Sequence, residues 1–565
     1  MRNSGYLACL TLALLFSFPC FAQLTVDQKI AEFLYVADSY ANQYGPYEWK
    51  QQVEGYDLLD LRPWIERIRL TTNDIEYAET LVDYVASLDD AHDGVSFPLN
   101  FSGNLGFTVD IYDGRVLVDS INRTRLPVAT YPFQIGDELL SVDGVSAADL
   151  IRKYRKYSIA ANPTSTDRIA VGRLVNRSQF IIPSLTSLPE KSVLEVRRAS
   201  GDIETFEAPW VTTGSPRTTF GRNVIPGPRT AHATPGFASV YDDSLPAYAE
   251  PMREHLTAYI SPDRHALLGF GARTPIYNLP TGFQQRLGRV AADFFYSGTF
   301  QADGLKIGFI RIPSYSPPSA TVALQQFEDE MVFFERETDG LIIDEMRNPG
   351  GSISFVENLA RLVHPRIFTT LGFEVRANAS WVSSSQASLN NAKSTNQDSW
   401  IIANLEHRLA DVVQSNSEPR GRTGPISLNS TGGLKLLPHP NAYSKPILLL
   451  IDEFSASGGD MFPAILQDNQ RALLFGHRTM GAGGNVVSYT SGSYTEIAFS
   501  VTQSLMHRND TINVPGYPAA SYVENVGVYP EIVEDYMTRD NLVSGGRAYV
   551  EAFTRAMVEH IRRSR

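Results

Sequence analysis

Two segments of the chain run from a short unbroken apolar stretch through paired glycines into a helical pattern, and they constrain the fold more than anything else in it. Residues 447–459 read ILLLIDEFSASGG and residues 341–352 read LIIDEMRNPGGS. Apolar runs of this length without polar alternation suit strands buried on both faces, which belong to parallel sheets with helical crossovers. Lys306 to Ile312 supplies a further strand before them and Leu473 to Gly476 one after them. The order strand, glycine loop, helix, strand therefore predicts an α/β domain over 296–565. A Ser- and Asn-rich stretch at about 378–438 reads as an insertion of poor regularity, and an amphipathic helix carrying Val550, Phe553, Met557 and Ile561 closes the chain.

The rest of the 565 residues divides by pattern. Arg2, the apolar run Tyr6 to Phe18 and Ala22 before Gln23 read as an export signal over 1–22. Both cysteines, Cys9 and Cys20, fall inside it, so the mature protein is expected to hold no disulfide and no thiolate metal ligand. Residues 23–100 have helical periodicity, with Asn73 or Thr72 as a cap, and place His92 on a loop at the end of the last helix. Over 101–211 the alternation Val109, Ile111, then Val116, Val118 around Asp113-Gly114 predicts a hairpin. With Leu105-Gly106-Phe107 and Gly136-Asp137 ahead of a strand, this region resembles a PDZ domain, into which the stretch between Tyr157 and Ser187 fits poorly and reads as an insertion. Residues 212–295, rich in Pro, Gly and Thr, read as a long linker. A net charge of -13, from 62 acidic and 49 basic residues, argues against nucleic acid as a partner.

Chemistry concentrates at the two glycine turns. A hydroxyl at a strand-to-helix turn, as at Ser457, stands where helix N–H groups can stabilise an oxyanion. Serine is also a favoured N-cap, so on local chemistry Ser457 reads equally as nucleophile or cap. Gly350 and Gly351 in one turn and Gly458 in the other could bring two backbone donors to one point. No H-E-x-x-H, no phosphate loop and no paired histidines at helical spacing occur, so neither a metal nor a cofactor is expected.

RNPGG at 347–351 together with FSASGGD at 454–460 and QDNQRA at 467–472 resembles the tail-specific or C-terminal processing family of serine peptidases. That resemblance implies a crotonase/ClpP-like βα core beside a helical N-terminal region and a PDZ-like β domain. Many members take a lysine after the following turn as base; here TMGAGG at 479–484 has Ala482 in its place, and no lysine follows Lys445. The departure points to the Ser-His-Glu branch typified by tricorn protease and the chlamydial protease-like activity factor. There the histidine lies in a segment resembling AHDGVSF at 91–97 and the acid in one resembling ENVGVYP at 524–530. The resemblance thus implies Ser457 as nucleophile, His92 as base, Glu524 as its orienting acid, and Gly350 or Gly351 with Gly458 as the oxyanion hole. His507 and His560 are the rival bases, and Glu496, Glu531 and Asp535 the rival acids.

The function expected is an exported serine endopeptidase, periplasmic or secreted, working through an acyl-enzyme. Its partners would be protein or peptide substrates, with no membrane span, and a homodimer is the oligomer this reading allows. The alternative is a non-catalytic peptide- or ligand-binding protein on the same scaffold. A histidine base with its ordinary pKa of ~6.5 would lose activity as the pH falls through that value. By resemblance the linker would hold the enzyme latent until it is cut.

Overall fold

The computed structural model describes residues 23–55, 57–221, 270–418, 421–490 and 494–565. The expected export signal and most of the expected linker, 222–269, lie outside the described residues.

The largest sheet has seven strands standing side by side in chain order: Gln284–Gln285, Tyr296–Ala302, Leu305–Arg311, Gly340–Asp344, Ile447–Ile451, Leu473–Gly476 and Ile532–Val533. The first two junctions are antiparallel and the last four parallel. Crossovers of one hand that keep stepping the same way must put their helices on one face of the sheet. Helices Ala320–Glu337, Ile353–Val363 and Gly458–Asp468 accordingly share one core with Ile310, Leu341, Ile343, Leu449 and Leu474. The intervening residues Phe309, Ile342, Leu448, Leu450 and Phe475 face the other way, against Tyr549, Phe553 and Met557 of the terminal helix Arg547–Ser564. Both faces are covered, which is why the strands read as unbroken apolar runs. Truncating one of these leucines or isoleucines to alanine would cost ~2–5 kcal/mol.

The hairpin forms at Phe107–Tyr112 and Arg115–Ile121, with Asp113 (φ 50°) and Gly114 (φ 69°) both left-handed at its turn. Glu138–Val142, Lys191–Arg197 and Ile203–Pro209 extend the same sheet. The stretch read as an insertion is part of this domain's core: helix Pro163–Gly172, capped by Asn162, contributes Ala170 and Val171, and Leu174, Ile182 and Leu185 follow.

Four helices, Val26–Gln43, Tyr47–Glu54, Arg62–Arg69 and Asp74–Ala86, make the N-terminal region, the last capped by the Asn73 side chain. They pack on Ile497, Phe499 and Val501 from the far end of the chain, and Val95–Ser96 pairs with Ala498 and Phe499. The N-terminal helices are thereby built into the peptidase-like half.

Two expectations are corrected. The stretch 378–438 contains a helical hairpin, Ala379–Ser394 and Ser399–Ser417, closed by Leu389, Ala392 and Leu405. Its exposed Ser and Asn positions diluted the apolar period. Residues 270–294 are not a loose connection: Gly271 N–H donates to the Arg347 carbonyl, Tyr277 Oη to Asp344, and Gln284–Gln285 pairs with the sheet.

Candidate active site

Ser457 sits at φ 55° and ψ -106°, half-buried, between strand Ile447–Ile451 and helix Gly458–Asp468. Ser457 holds the N-cap position and forms a capping box with Asp460, but without the extended backbone angles usual for a cap. Asp460 closes the turn from the other side, its Oδ2 accepting from Ser457 N–H at 2.7 Å. A left-handed serine costs of order 1–3 kcal/mol and persists only where its surroundings enforce it. Asp460 is the means: its carboxylate also accepts from Thr479 Oγ1 at 2.5 Å, Gly481 N–H at 2.9 Å and Ala482 N–H at 3.0 Å. Burial raises its pKa to about 6 against these four donors, so it is ionised at neutral pH.

The second glycine turn lies against the first. A Cβ on Gly350 (φ 89°) would stand 2.6 Å from the Ala456 carbonyl oxygen and 2.7 Å from Gly458 N; one on Gly351 (φ 141°) would stand 2.3 Å from the Tyr315 carbonyl carbon. Only glycine allows that approach. Gly350 N–H is spent on Asn348 Oδ1 at 2.8 Å, which removes it from the expected oxyanion donors. Gly351 N lies 3.1 Å from the position of a Gly458 Cβ, so the Gly351 and Gly458 backbones adjoin beside Ser457.

His92 occupies the turn after helix Asp74–Ala86 and is 1% exposed. Its N–H donates to Asp90 Oδ1 at 2.9 Å and its carbonyl accepts from Ser500 Oγ at 2.6 Å, which hold its backbone from both sides. Burial lowers the imidazole pKa to about 4, with Lys50 adding to the effect and Asp90 opposing it. The ring is neutral at neutral pH, as a general base must be. Donor atoms of Asp90, His92 and Glu524 lie within 4.8 Å of one another. The structure thus brings together His92 and Glu524, which lie far apart in the sequence, and adds Asp90, which sequence reasoning missed.

Glu524 is fully buried. Its Oε1 accepts from Lys50 Nζ at 2.6 Å and its Oε2 from Gly483 N–H at 2.9 Å. Burial and then Asp90 raise the pKa of its carboxyl to about 8, with Lys50 and the Gly483 N–H opposing the rise. The loop 481–483 therefore joins Ser457, through Asp460, to Glu524. Ala91 and Ala456, each just before His92 and Ser457, share one buried cluster with Phe454, Met480 and Ala482. The three acidic and imidazole donors could ligate a cation, but the Lys50 ammonium already holds Glu524 and opposes one.

The rivals lie elsewhere. His507 packs edge-on against Tyr522, with Nε2 3.9 Å from Glu374, and His560 is on the terminal helix across the sheet. The PDZ-like domain reaches the site through Arg168, which donates to Asp110 Oδ2 at 2.5 Å and Glu453 Oε1 at 2.8 Å. Asn162 Nδ2 donates to the Met480 carbonyl at 2.8 Å.

Residues 306–517 match the model of peptidase family S41, and residues 102–215 match that of a PDZ domain. A protein of Chlamydia pneumoniae is 28% identical over 590 residues, covering 94% of this chain and 90% of its own length. One of Chlamydia trachomatis serovar D is 28% identical over 564 residues, covering 90% and 89%. The fold is that of mature CPAF, solved in complex with lactacystin: TM-score 0.74, 23% identity, 95% of this chain and 99% of that one. Among the described residues no helix is long and apolar enough to cross a membrane. Two glycine turns meeting at a serine with positive φ, within the residues that match family S41 and behind those that match a PDZ domain, mark 306–517 as a serine peptidase domain of that family.

Proposed function

We propose that the chain is an exported serine endopeptidase using a Ser457-His92-Glu524 triad. Ser457 Oγ attacks the peptide carbonyl while His92 takes its proton. The N–H groups of Gly351 and Gly458 receive the oxyanion, and Glu524 stabilises the imidazolium directly or through Asp90. His92 then protonates the departing amine, leaving an acyl-serine, and a water deprotonated by His92 releases the acid. The observation that carries this reading is the approach of His92 and Glu524 within 4.8 Å, 432 positions apart in number, beside a buried cluster in which Ala91 and Ala456, the residues before His92 and Ser457, both take part. Hydrolysis of labelled casein by Ser457→Ala, His92→Ala and Glu524→Gln tests it. Loss by orders of magnitude in the first two is expected; a His92→Ala protein within a few-fold of wild type would refute the base.

Export rests on the basic and apolar pattern of residues 1–22. Latency rests on the Gly- and Pro-rich composition of the expected linker 212–295, of which 270–294 are held in the fold, since nicking concentrates in segments of that composition. Incubating wild type and Ser457→Ala side by side tests it: fragments ending within that segment are expected from wild type alone. An intact chain that is fully active from the start would end the idea.

A further inference from the structure

Lys50 is buried to 4% side-chain exposure, and all three of its N–H donors are matched. They go to Glu524 Oε1 at 2.6 Å, the Asp89 carbonyl at 2.7 Å and Asn525 Oδ1 at 2.8 Å. Its neighbour Trp49 grips the same turn, with Nε1 donating to the Glu524 carbonyl at 3.1 Å and to Asn525 Oδ1 at 3.2 Å. Helix Tyr47–Glu54 thus sets the position of the Glu524 turn through two consecutive side chains.

We propose that Lys50 is a positioning residue that holds the Glu524 carboxylate aimed for His92 and favours its charged form, making the N-terminal helical region part of the catalytic apparatus. The inference rests on the triad reading and deepens it. A buried ion pair is weak evidence for stability, because an apolar pair of similar volume often serves as well. What distinguishes this one is the acidity around it. Asp90 and Asp93 face Glu524 from the His92 loop, and Asp89 and Glu54 face Lys50. Tyr44 donates to Asp90 Oδ2 at 3.0 Å, and Arg478 acts on Asp89. Burial pulls the Lys50 ammonium down, but Glu524, Asp90 and Asp89 outweigh it and raise its pKa. Burial and Asp90 already hold the Glu524 carboxyl above its ordinary range, and without Lys50 it would rise further with only the Gly483 N–H opposing them. A protonated Glu524 carries no charge to stabilise the imidazolium, so the enzyme would fail first on the acid side.

The test is the rate at which a fluorophosphonate probe labels the full-length protein, followed against pH for wild type, Lys50→Met, Lys50→Arg and His92→Ala. Thermal unfolding of each variant accompanies it. Lys50→Met should move the acid limb up by ~1–3 pH units, the range set by one close opposite charge. Lys50→Arg keeps the charge but not the geometry, so its rate should fall evenly with the limb in place. A folded Lys50→Met with a uniform loss at every pH, or with the wild-type profile, overturns the inference. Should Lys50→Met not fold, Lys50→Arg decides alone, since a displaced limb there overturns it too. His92→Ala separates the two failures: if it labels at the wild-type rate the triad reading falls, whereas if it is silent and Lys50→Met is normal only the role of Lys50 falls.

Discussion

Replacing Asp460 by asparagine changes one atom of the side chain and should damage both stability and catalysis. Each carboxylate oxygen takes two donors, Thr479 Oγ1 and Gly481 N–H on one, Ser457 N–H and Ala482 N–H on the other. Asparagine keeps one acceptor oxygen, and its NH2 must face the other pair. Turned toward Ser457 and Ala482, it strands two buried N–H groups; turned the other way, it strands Gly481 N–H and the hydroxyl of Thr479, whose oxygen already accepts from Val528 N–H at 2.7 Å. At ~1–3 kcal/mol for each stranded donor, the cost is about 2–6 kcal/mol. The Ser457 N–H bond also enforces the left-handed serine, and misplacing a reacting group by ~1 Å can cost ~100-fold in rate. Asp460→Asn should therefore unfold at a lower temperature and hydrolyse casein with kcat down by about two orders of magnitude, KM changing little. A variant with the wild-type unfolding midpoint and activity within a few-fold would refute the role given to this carboxylate.

Gly351→Ala should lower kcat by ~10²–10³, the cost of losing one oxyanion donor, because its Cβ would collide with the Tyr315 backbone beside the site; steady-state kinetics checks it, and near-normal kcat would refute the oxyanion assignment. The pKa of His92 near 4 has a stability consequence whose sign is fixed. On acidification the unfolded chain takes this proton first, so stability is full above pH ~6.5 and is lost as pH falls toward 4. The loss is ~3 kcal/mol at ~1.36 kcal/mol per unit. Denaturant titrations of wild type and His92→Phe across that window should show a shallower pH slope for the variant. For the same reason the imidazole itself stays neutral below pH 6.5, which corrects the expectation of an acid limb there. The acid limb is expected to follow Glu524 and its partner Lys50 and should shift on substitution of either.

The parallel strands were legible because burial on both faces removes alternation and glycine turns punctuate each run; Leu473–Gly476 came out as expected, and the apolar run that opens at 447 became strand Ile447–Ile451. The hairpin 379–417 was not, because Ser and Asn on its outer faces hide Leu389, Leu405 and Val412. Ser457 was legible as a strand-to-helix serine, but its positive φ, unusual for an N-cap, was not. His92 and Glu524 came from motif resemblance, since nothing in their spacing announces that a strand pairing of Val95–Ser96 with Ala498 and Phe499 carries the His92 loop to the far end of the chain. Lys50 and Asp90 had no local signal at all. A lysine and an aspartate on helical and loop segments read as surface charges until the fold buries both beside Glu524.

The most direct measurement is mass mapping of the covalent adduct formed when the purified protein meets a fluorophosphonate at neutral pH. One modified residue, Ser457, is expected, with no adduct in Ser457→Ala and almost none in His92→Ala. An adduct on another serine, or undiminished labelling of His92→Ala, would contradict the triad.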